Sequence, residues 1–282
     1  MTASRSPSSP SGSADPHGDH PLETGGVPLD DATTAVVLLH GRGASARGIL
    51  AMTDDLAANR AAGNIAYLAP QAARRSWYPA SFLAPLEENE PALSSALNRV
   101  QESLDAIEEA GVPIDRTLLL GFSQGGCLVT EFARRFPRRY GGVIGLSGAL
   151  IGPEGTVDPE AVEGSRPLDG TPVFLGCSDQ DPYIPLDRVE ETADLLGALG
   201  GDVTKRIYEG MGHTTNGEEM RHVRRILQRY VPLRPPDDET AGDPRDEPKE
   251  DAAKKDPDLP DDTGGPNGID EIDDDVDFLR HD

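Results

Sequence analysis

Arg116-Thr-Leu-Leu-Leu-Gly-Phe-Ser-Gln-Gly125 decides how this chain folds. Its Leu-Leu-Leu centre is a short continuous apolar run, the pattern of a strand buried on both faces of a sheet. Gln124 to Phe136 then reads as a helix closed by Pro137. Between them sits Gly121-Phe-Ser123-Gln-Gly125, a G-x-S-x-G pentapeptide. The pentapeptide is common by chance, but a place between strand and helix gives it a mechanical meaning. A sharp strand-to-helix turn tolerates little side-chain bulk, hence the flanking glycines. The turn lifts the Ser123 hydroxyl above the sheet and aims the positive end of the helix at it. Ser123 is the candidate nucleophile.

Outward from this stretch, strand and helix signals alternate. Thr34 to His40, Asn64 to Ala69, Gly142 to Ser147, Thr171 to Cys177 and Val203 to Tyr208 read as strands. Ile49 to Arg60, Glu90 to Ala110, Leu186 to Leu199 and Gly217 to Tyr230 read as helices. In the second of these, Leu93, Leu97, Val100, Leu104 and Ile107 recur at helical spacing, and Gly111 is placed to stop it. The alternation predicts an α/β class: a mostly parallel central sheet of about six to seven strands, helices on both faces, and no large lid. Ligands of such sheets bind beyond the carboxyl ends of the strands.

A serine nucleophile needs a base, and the base needs an orienting acid. His213 follows the last strand in Glu209-Gly-Met-Gly-His213, beside two glycines that suit a loop presenting one imidazole. His17, His20 and His281 fall in the tails, His222 lies among arginines on a solvated helix face, and His40 reads as support for a loop. Two carboxylates follow the fifth strand, Asp179 and Asp181. Either serves as a turn cap, although Pro182 pushes Asp181 toward extended backbone and away from local capping. Spacing leaves both open and favours Asp181. Beyond the first strand, His40-Gly-Arg42-Gly43 is a turn whose Arg42 N–H, with that of Gln124, suits an oxyanion hole. The pocket candidates are Trp77, Tyr78, Phe82 and Leu83 in the loop after the second strand, with Tyr183 and Ile184 beside Asp181.

The chain has 50 Asp and Glu against 26 Lys and Arg, a net charge of −24. Such a surface does not neutralise phosphates, so no nucleic acid is expected as a partner. Apolar runs such as Ala35 to Leu39 are too short to cross a bilayer, so no integral membrane segment is expected. The N-terminus carries no apolar leader pattern, and the expected location is the cytoplasm. Residues 235–282 hold 19 acidic against 5 basic residues. They and residues 1–33 read as disordered tails around a catalytic domain at 34–234. Within that domain Lys205 is the lone lysine beside nineteen arginines, a balance compatible with a salt-rich cytoplasm. In the acidic tail Ile269, Ile272, Val276 and Leu279 share helical spacing, which raises a basic partner as the alternative to a solubilising tail. Cys127 and Cys177 sit in apolar contexts and read as buried free thiols, with no CxxC pair for zinc. A homodimer remains open.

The motif series resembles the phospholipase/carboxylesterase family of α/β-hydrolases, which includes acyl-protein thioesterase-like serine esterases. The resemblance runs through Leu38-Leu-His-Gly-Arg-Gly-Ala44, Ser76-Trp-Tyr78, Gly121-Phe-Ser-Gln-Gly-Gly126, Gly145-Leu-Ser-Gly148, Asp181-Pro-Tyr-Ile-Pro185 and Gly212-His213. It covers nearly all of 34–230. The resemblance implies the α/β-hydrolase fold and a triad of Ser123, Asp181 and His213, its D-P-x-[VI]-P pattern selecting Asp181. It implies backbone oxyanion donors at Arg42 and Gln124, and no metal or organic cofactor. Pro79 departs from the acidic residue that many members carry after the aromatic pair. The implied activity is hydrolysis of a small-molecule ester with a short to medium acyl chain, in an open cleft. A thioesterase, a lysophospholipase-type deacylase and a dienelactone-type hydrolase are alternatives on the same triad, the last disfavoured by serine at position 123. An idle hydrolase fold serving as a binding module is the alternative from another class.

Overall fold

A computed structural model of the chain describes residues 15–57, 64–155 and 166–230. The chain divides into two compact units, Met1–Asp237 and Asp238–Asp282, and every described residue lies in the first. The expected acidic tail at 235–282 and its helical spacing lie outside the described residues.

Among the described residues, seven strands form one sheet: β1 (Leu22–Gly26), β2 (Thr34–Leu39), β3 (Ile65–Pro70), β4 (Thr117–Phe122), β5 (Gly142–Leu146), β6 (Pro172–Ser178) and β7 (Asp202–Tyr208). Their order is β1-β3-β2-β4-β5-β6-β7, and every pairing is parallel except β1 with β3. The expected α/β class, mostly parallel sheet and six to seven strands are thus observed. Side chains alternate between the two faces of a strand. In β2, Val37 and Leu39 pack on one face with α3 (Ala92–Glu109), α4 (Gln124–Arg135) and α5 (Leu186–Ala198). Val36 and Leu38 pack on the other with α1 (Ala46–Leu50), α2 (Met52–Ala57) and α6 (Gly217–Leu227). Burial on both faces is why these strands read as unbroken apolar runs.

The sequence reading is corrected in two places. The helix expected over Ile49 to Arg60 is the two short helices α1 and α2, and residues 58–60 lie outside the described part. Residues 15–33, read as tail, belong to the domain. β1 pairs antiparallel with β3, Leu22 opposite Pro70 and Gly26 opposite Ala66, as an edge strand. Its sequence Leu-Glu-Thr-Gly-Gly has no apolar run, because backbone pairing rather than side-chain burial holds it.

The chain order reverses across β2 and β4: β3 lies on one side of β2, and β4 to β7 run away on the other. Loops leaving neighbouring strands at such a point diverge and leave a crevice. The turns after β2 and β4 border it, and the loops after β6 and β7 arrive from the same end.

Candidate active site

Ser123 caps β4 and opens α4 with φ 55° and ψ −120°, a conformation that side-chain-bearing residues rarely adopt. Its N–H donates to Leu146 O at 2.9 Å, and its carbonyl accepts from Cys127 N at 2.9 Å. The turn closes only because both flanking residues lack a Cβ. A Cβ at Gly121 would run into Gly125 O, and one at Gly125 into Leu39 O.

The side chains that the sequence placed 90 and 32 residues apart come together. His213 Nε2 lies 2.8 Å from Ser123 Oγ, and Nδ1 lies 2.7 Å from Asp181 Oδ2. An ionised carboxylate only accepts, so the network assigns the hydrogen to Nδ1 and leaves Nε2 to accept from the hydroxyl. The other Asp181 oxygen accepts from the N–H groups of Tyr183 (2.9 Å) and Ile184 (3.1 Å). Asp181 therefore does cap a local turn, contrary to expectation: one oxygen caps while the other meets the imidazole. Burial pushes its carboxyl up, but the His213 ring and the two N–H groups outweigh that and hold it below the ordinary 3.8. Asp179, the competing acid, ties the two loops together, its Oδ1 accepting from Gly210 N at 2.8 Å. Ser178 Oγ accepts from Gly212 N at 3.0 Å. Phe122 and the edge of Tyr183 flank the imidazole at 5.1 and 4.8 Å between ring centroids. His222, read as a solvated residue, instead stacks on Phe174 at 4.7 Å.

Among the described residues, the backbone N–H groups of Arg42 and Gln124 have no backbone acceptor. The side chains of these two residues brace the loop after β3. Gln124 Oε1 accepts from Trp77 N at 2.8 Å, and its Nε2 donates to Tyr78 O at 2.8 Å, as a peptide group pairs with a neighbouring strand. Arg42 donates to the carbonyls of Tyr78 (2.9 Å), Pro79 (2.9 Å) and Ala80 (2.7 Å). Its guanidinium is thereby committed to protein carbonyls rather than to a substrate anion or an ion pair. His40 supports the loop, as its sequence position suggested. Nδ1 meets Gly41 O at 2.8 Å and Nε2 accepts from Ala72 N at 3.2 Å.

A cleft of about 620 Å³ opens beside Ser123. Tyr78, Phe82, Tyr183 and Ile184 line it together with Ser123, Gln124 and His213. Trp77 and Leu83 do not. Trp77 is fully buried, its indole N–H donating to His40 O at 2.8 Å, so it is a core residue of the loop. Leu83 packs against the core cluster beneath α3 and α4. No group of three or more His, Cys, Asp or Glu among the described residues is arranged to hold a metal ion. No helix among them is long and apolar enough to cross a membrane.

Ser123, His213 and Asp181 thus meet beyond the ends of β4, β7 and β6. The family described as phospholipase/carboxylesterase matches residues 27–231. The chain belongs to that family. It is a carboxylic ester hydrolase with the α/β-hydrolase fold. This phospholipase/carboxylesterase family member is similar to the acyl-protein thioesterase 1 of Schizosaccharomyces pombe, 28% identical over 213 residues, 71% of this chain and 92% of the relative. The match to acyl-protein thioesterase 1 of Gibberella zeae is 32% over 138 residues, 48% of this chain and about half, 55%, of that relative. A crystal structure of a phospholipase/carboxylesterase from Dyadobacter fermentans is 39% identical with a TM-score of 0.67, over 74% of this chain and 97% of the other.

Sequence reasoning missed two parts of this esterase-family cleft. Pro79, Ala80 and Ser81 line it through the loop that Arg42 grips, and Cys127 lines it from the first turn of α4. The helical position of Cys127, four residues after Ser123, was the available signal for the latter. Both cysteines are buried and free. Burial pushes the Cys127 thiol up to about 11 and, with the adjacent Asp181 carboxylate, the Cys177 thiol to about 12. Both stay protonated at neutral pH and are poor nucleophiles.

Proposed function

We propose that the protein is a serine carboxylesterase that cleaves short- to medium-chain acyl esters through Ser123, His213 and Asp181. The two hydrogen bonds of His213, one to each partner, carry this reading. Ser123 Oγ attacks the ester carbonyl carbon while His213 Nε2 takes the hydroxyl proton. Asp181 stays ionised, holds Nδ1–H in place and faces the imidazolium that forms. The charge on the carbonyl oxygen is met by the N–H groups of Arg42 and Gln124, at the start of α4. The imidazolium then protonates the leaving alkoxide, and the acyl group remains on Ser123. Water, deprotonated by the same Nε2, attacks the acyl-enzyme, and the returning proton restores the serine.

The cleft supports the substrate class. Its apolar wall of Tyr78, Phe82, Tyr183 and Ile184 suits a hydrocarbon chain. Arg42, the one arginine lining it among the described residues, already serves three carbonyls, which favours an uncharged acyl group. A second reading, thioester cleavage, is favoured by the relatives named acyl-protein thioesterase.

The test compares the intact protein with S123A on p-nitrophenyl acetate, butyrate and octanoate, beside an S-octanoyl peptide. Turnover of the esters, lowered at least about 10³-fold by the substitution, is the expected result. Cleavage of the thioester alone moves the assignment to the second reading. Two folded proteins inactive on all four substrates overturn both and leave a binding module.

A further inference from the structure

Residues 15–20 precede the family match at 27–231, yet they are docked on the loop that builds the cleft wall. His17 is 1% exposed. Its Nε2 lies 2.9 Å from Trp77 O, and its Nδ1 lies 3.0 Å from Ala73 N. A carbonyl only accepts and a backbone N–H only donates, so Nε2 carries a hydrogen, Nδ1 carries none, and the ring is neutral. The His17 N–H is anchored on α3 by Ser95 Oγ at 2.9 Å and meets Asp15 Oδ1 at 3.2 Å. Ser95 Oγ also donates to Asp15.

The loop that His17 holds at Ala73 and Trp77 orients both oxyanion residues. Arg75 O accepts from Gly43 N at 2.7 Å, next to Arg42. Trp77 N bonds the Gln124 side chain, and Tyr78 O accepts from Gln124 and Arg42. The His17 imidazole bridges two points of that loop, Ala73 N and Trp77 O.

We propose that His17 is a positioning residue that clasps the 73–77 loop against the catalytic cleft, and that protonating its ring opens the clasp. A hydrogen on Nδ1 would face the Ala73 N–H, donor against donor, and would place a charge inside the packed interface. Burial holds the ring below the ordinary imidazole value of 6.5, against the pull of Asp15 and with the repulsion of His20. Across Trp77 lies His40, itself buried, lowered and repelled by Arg75. Ser95 and Ala92, on α3, contribute no charge. For a group lowered by folding, the stabilisation is complete above 6.5 and falls away as the pH drops below it. The docking stands on these contacts alone. Its effect on turnover rests on the esterase reading.

Trp77 is the only tryptophan in the chain, and its ring centroid is 5.6 Å from that of His17. Its emission therefore reports the clasp without any substrate. The experiment titrates emission and ester kcat/KM from pH 8 to 4.5 for the intact protein, H17Q and H17N. The amides keep a donor or acceptor and do not titrate. Expected is an emission transition below pH 6.5 in the intact protein and its absence in both variants. The acid limb of kcat/KM is expected to steepen from a slope near one in the variants toward two in the intact protein, with KM carrying the extra loss. A transition that persists in both variants assigns it to His40 and overturns the proposal, as does a featureless titration of the intact protein. An intact transition with no ester turnover at any pH sinks the esterase reading and leaves the clasp standing.

Discussion

The two walls of the active site are built by opposite means. The wall that carries Asp181 and His213, the loops after β6 and β7, is fastened by short side chains. Asp179, Ser178 and Asp181 receive N–H groups from Gly210, Gly212, Tyr183 and Ile184, and Asn216 caps α6 just beyond His213. The wall after β3 is fastened by long side chains from distant segments: Arg42 from beyond β2, Gln124 from α4, and His17 from ahead of β1. In the proposed mechanism the first wall performs the proton transfers. The second shapes the cleft and braces the oxyanion turn. A damaged first wall should stop the chemistry with the fold intact, whereas a damaged second wall should blur the geometry.

D181N tests this contrast most severely. The amide still caps Tyr183 and Ile184 but no longer holds the imidazole tautomer or faces its charge. The expected loss in kcat is on the order of 10³–10⁴-fold, with KM and the melting temperature little changed. A loss below tenfold would show that Asp181 is only a turn cap. Q124A acts on the second wall. It leaves Trp77 N–H and Tyr78 O without the pairing that aligns them, and the oxyanion turn loses a brace. A drop of roughly 10–100-fold in kcat/KM is expected, read together with a lower melting temperature, since misplacement rather than lost chemistry is the cause. Equal kcat losses in Q124A and D181N would erase the distinction between the walls.

The smallest effect on turnover is expected from E219Q, under the first wall. Glu219 is fully buried, with Oε2 accepting from Asn216 N at 2.8 Å and Oε1 without a partner among the described residues. Burial raises its carboxyl from 4.5 to about 7. Folding therefore favours the protonated acid, and stability falls as the pH rises from 4.5 to 7. The swing from this one group is at most about 3 kcal/mol. Urea unfolding at pH 5 and pH 8 should show E219Q gaining by up to that amount relative to the intact protein at the higher pH. A difference independent of pH would mean that the carboxyl is ionised throughout. Ester turnover at pH 7 should change by no more than a few-fold.

The contrast between the walls also explains what was legible. The elbow at Ser123, His213 after two closely spaced glycines and the two acids of the Cys177–Pro185 loop are local patterns, and each reads from a handful of consecutive residues. Between Asp179 and Asp181, spacing alone only favoured Asp181, and the D-P-x-[VI]-P pattern of the family resemblance selected it. Trp77 looked like a pocket aromatic because an aromatic in a long loop near the strand ends carries no mark of which way it points. Its burial depends on His40, just beyond β2, and on His17, ahead of β1. β1 was invisible because an edge strand held by main-chain pairing has no need of an apolar pattern. His17, set among Ser, Pro, Gly and Asp, looked like tail for the same reason.

By itself the sequence determined the alternation of buried strands and helices, the nucleophile turn, and the few residue types able to serve it as base and acid. These follow from periodicity and from backbone sterics within one turn of chain, which do not depend on distant partners. Only the tertiary structure decided which Asp oxygen meets the imidazole, which aromatic rings face the cleft, and that the Gln124 side chain pairs with a loop 47 residues away while His17 reaches one 60 residues away. Hydrogen bonds over such separations are set by how the sheet stacks its strands. A sequence names their donors and acceptors, but only the packed fold brings them within 3 Å.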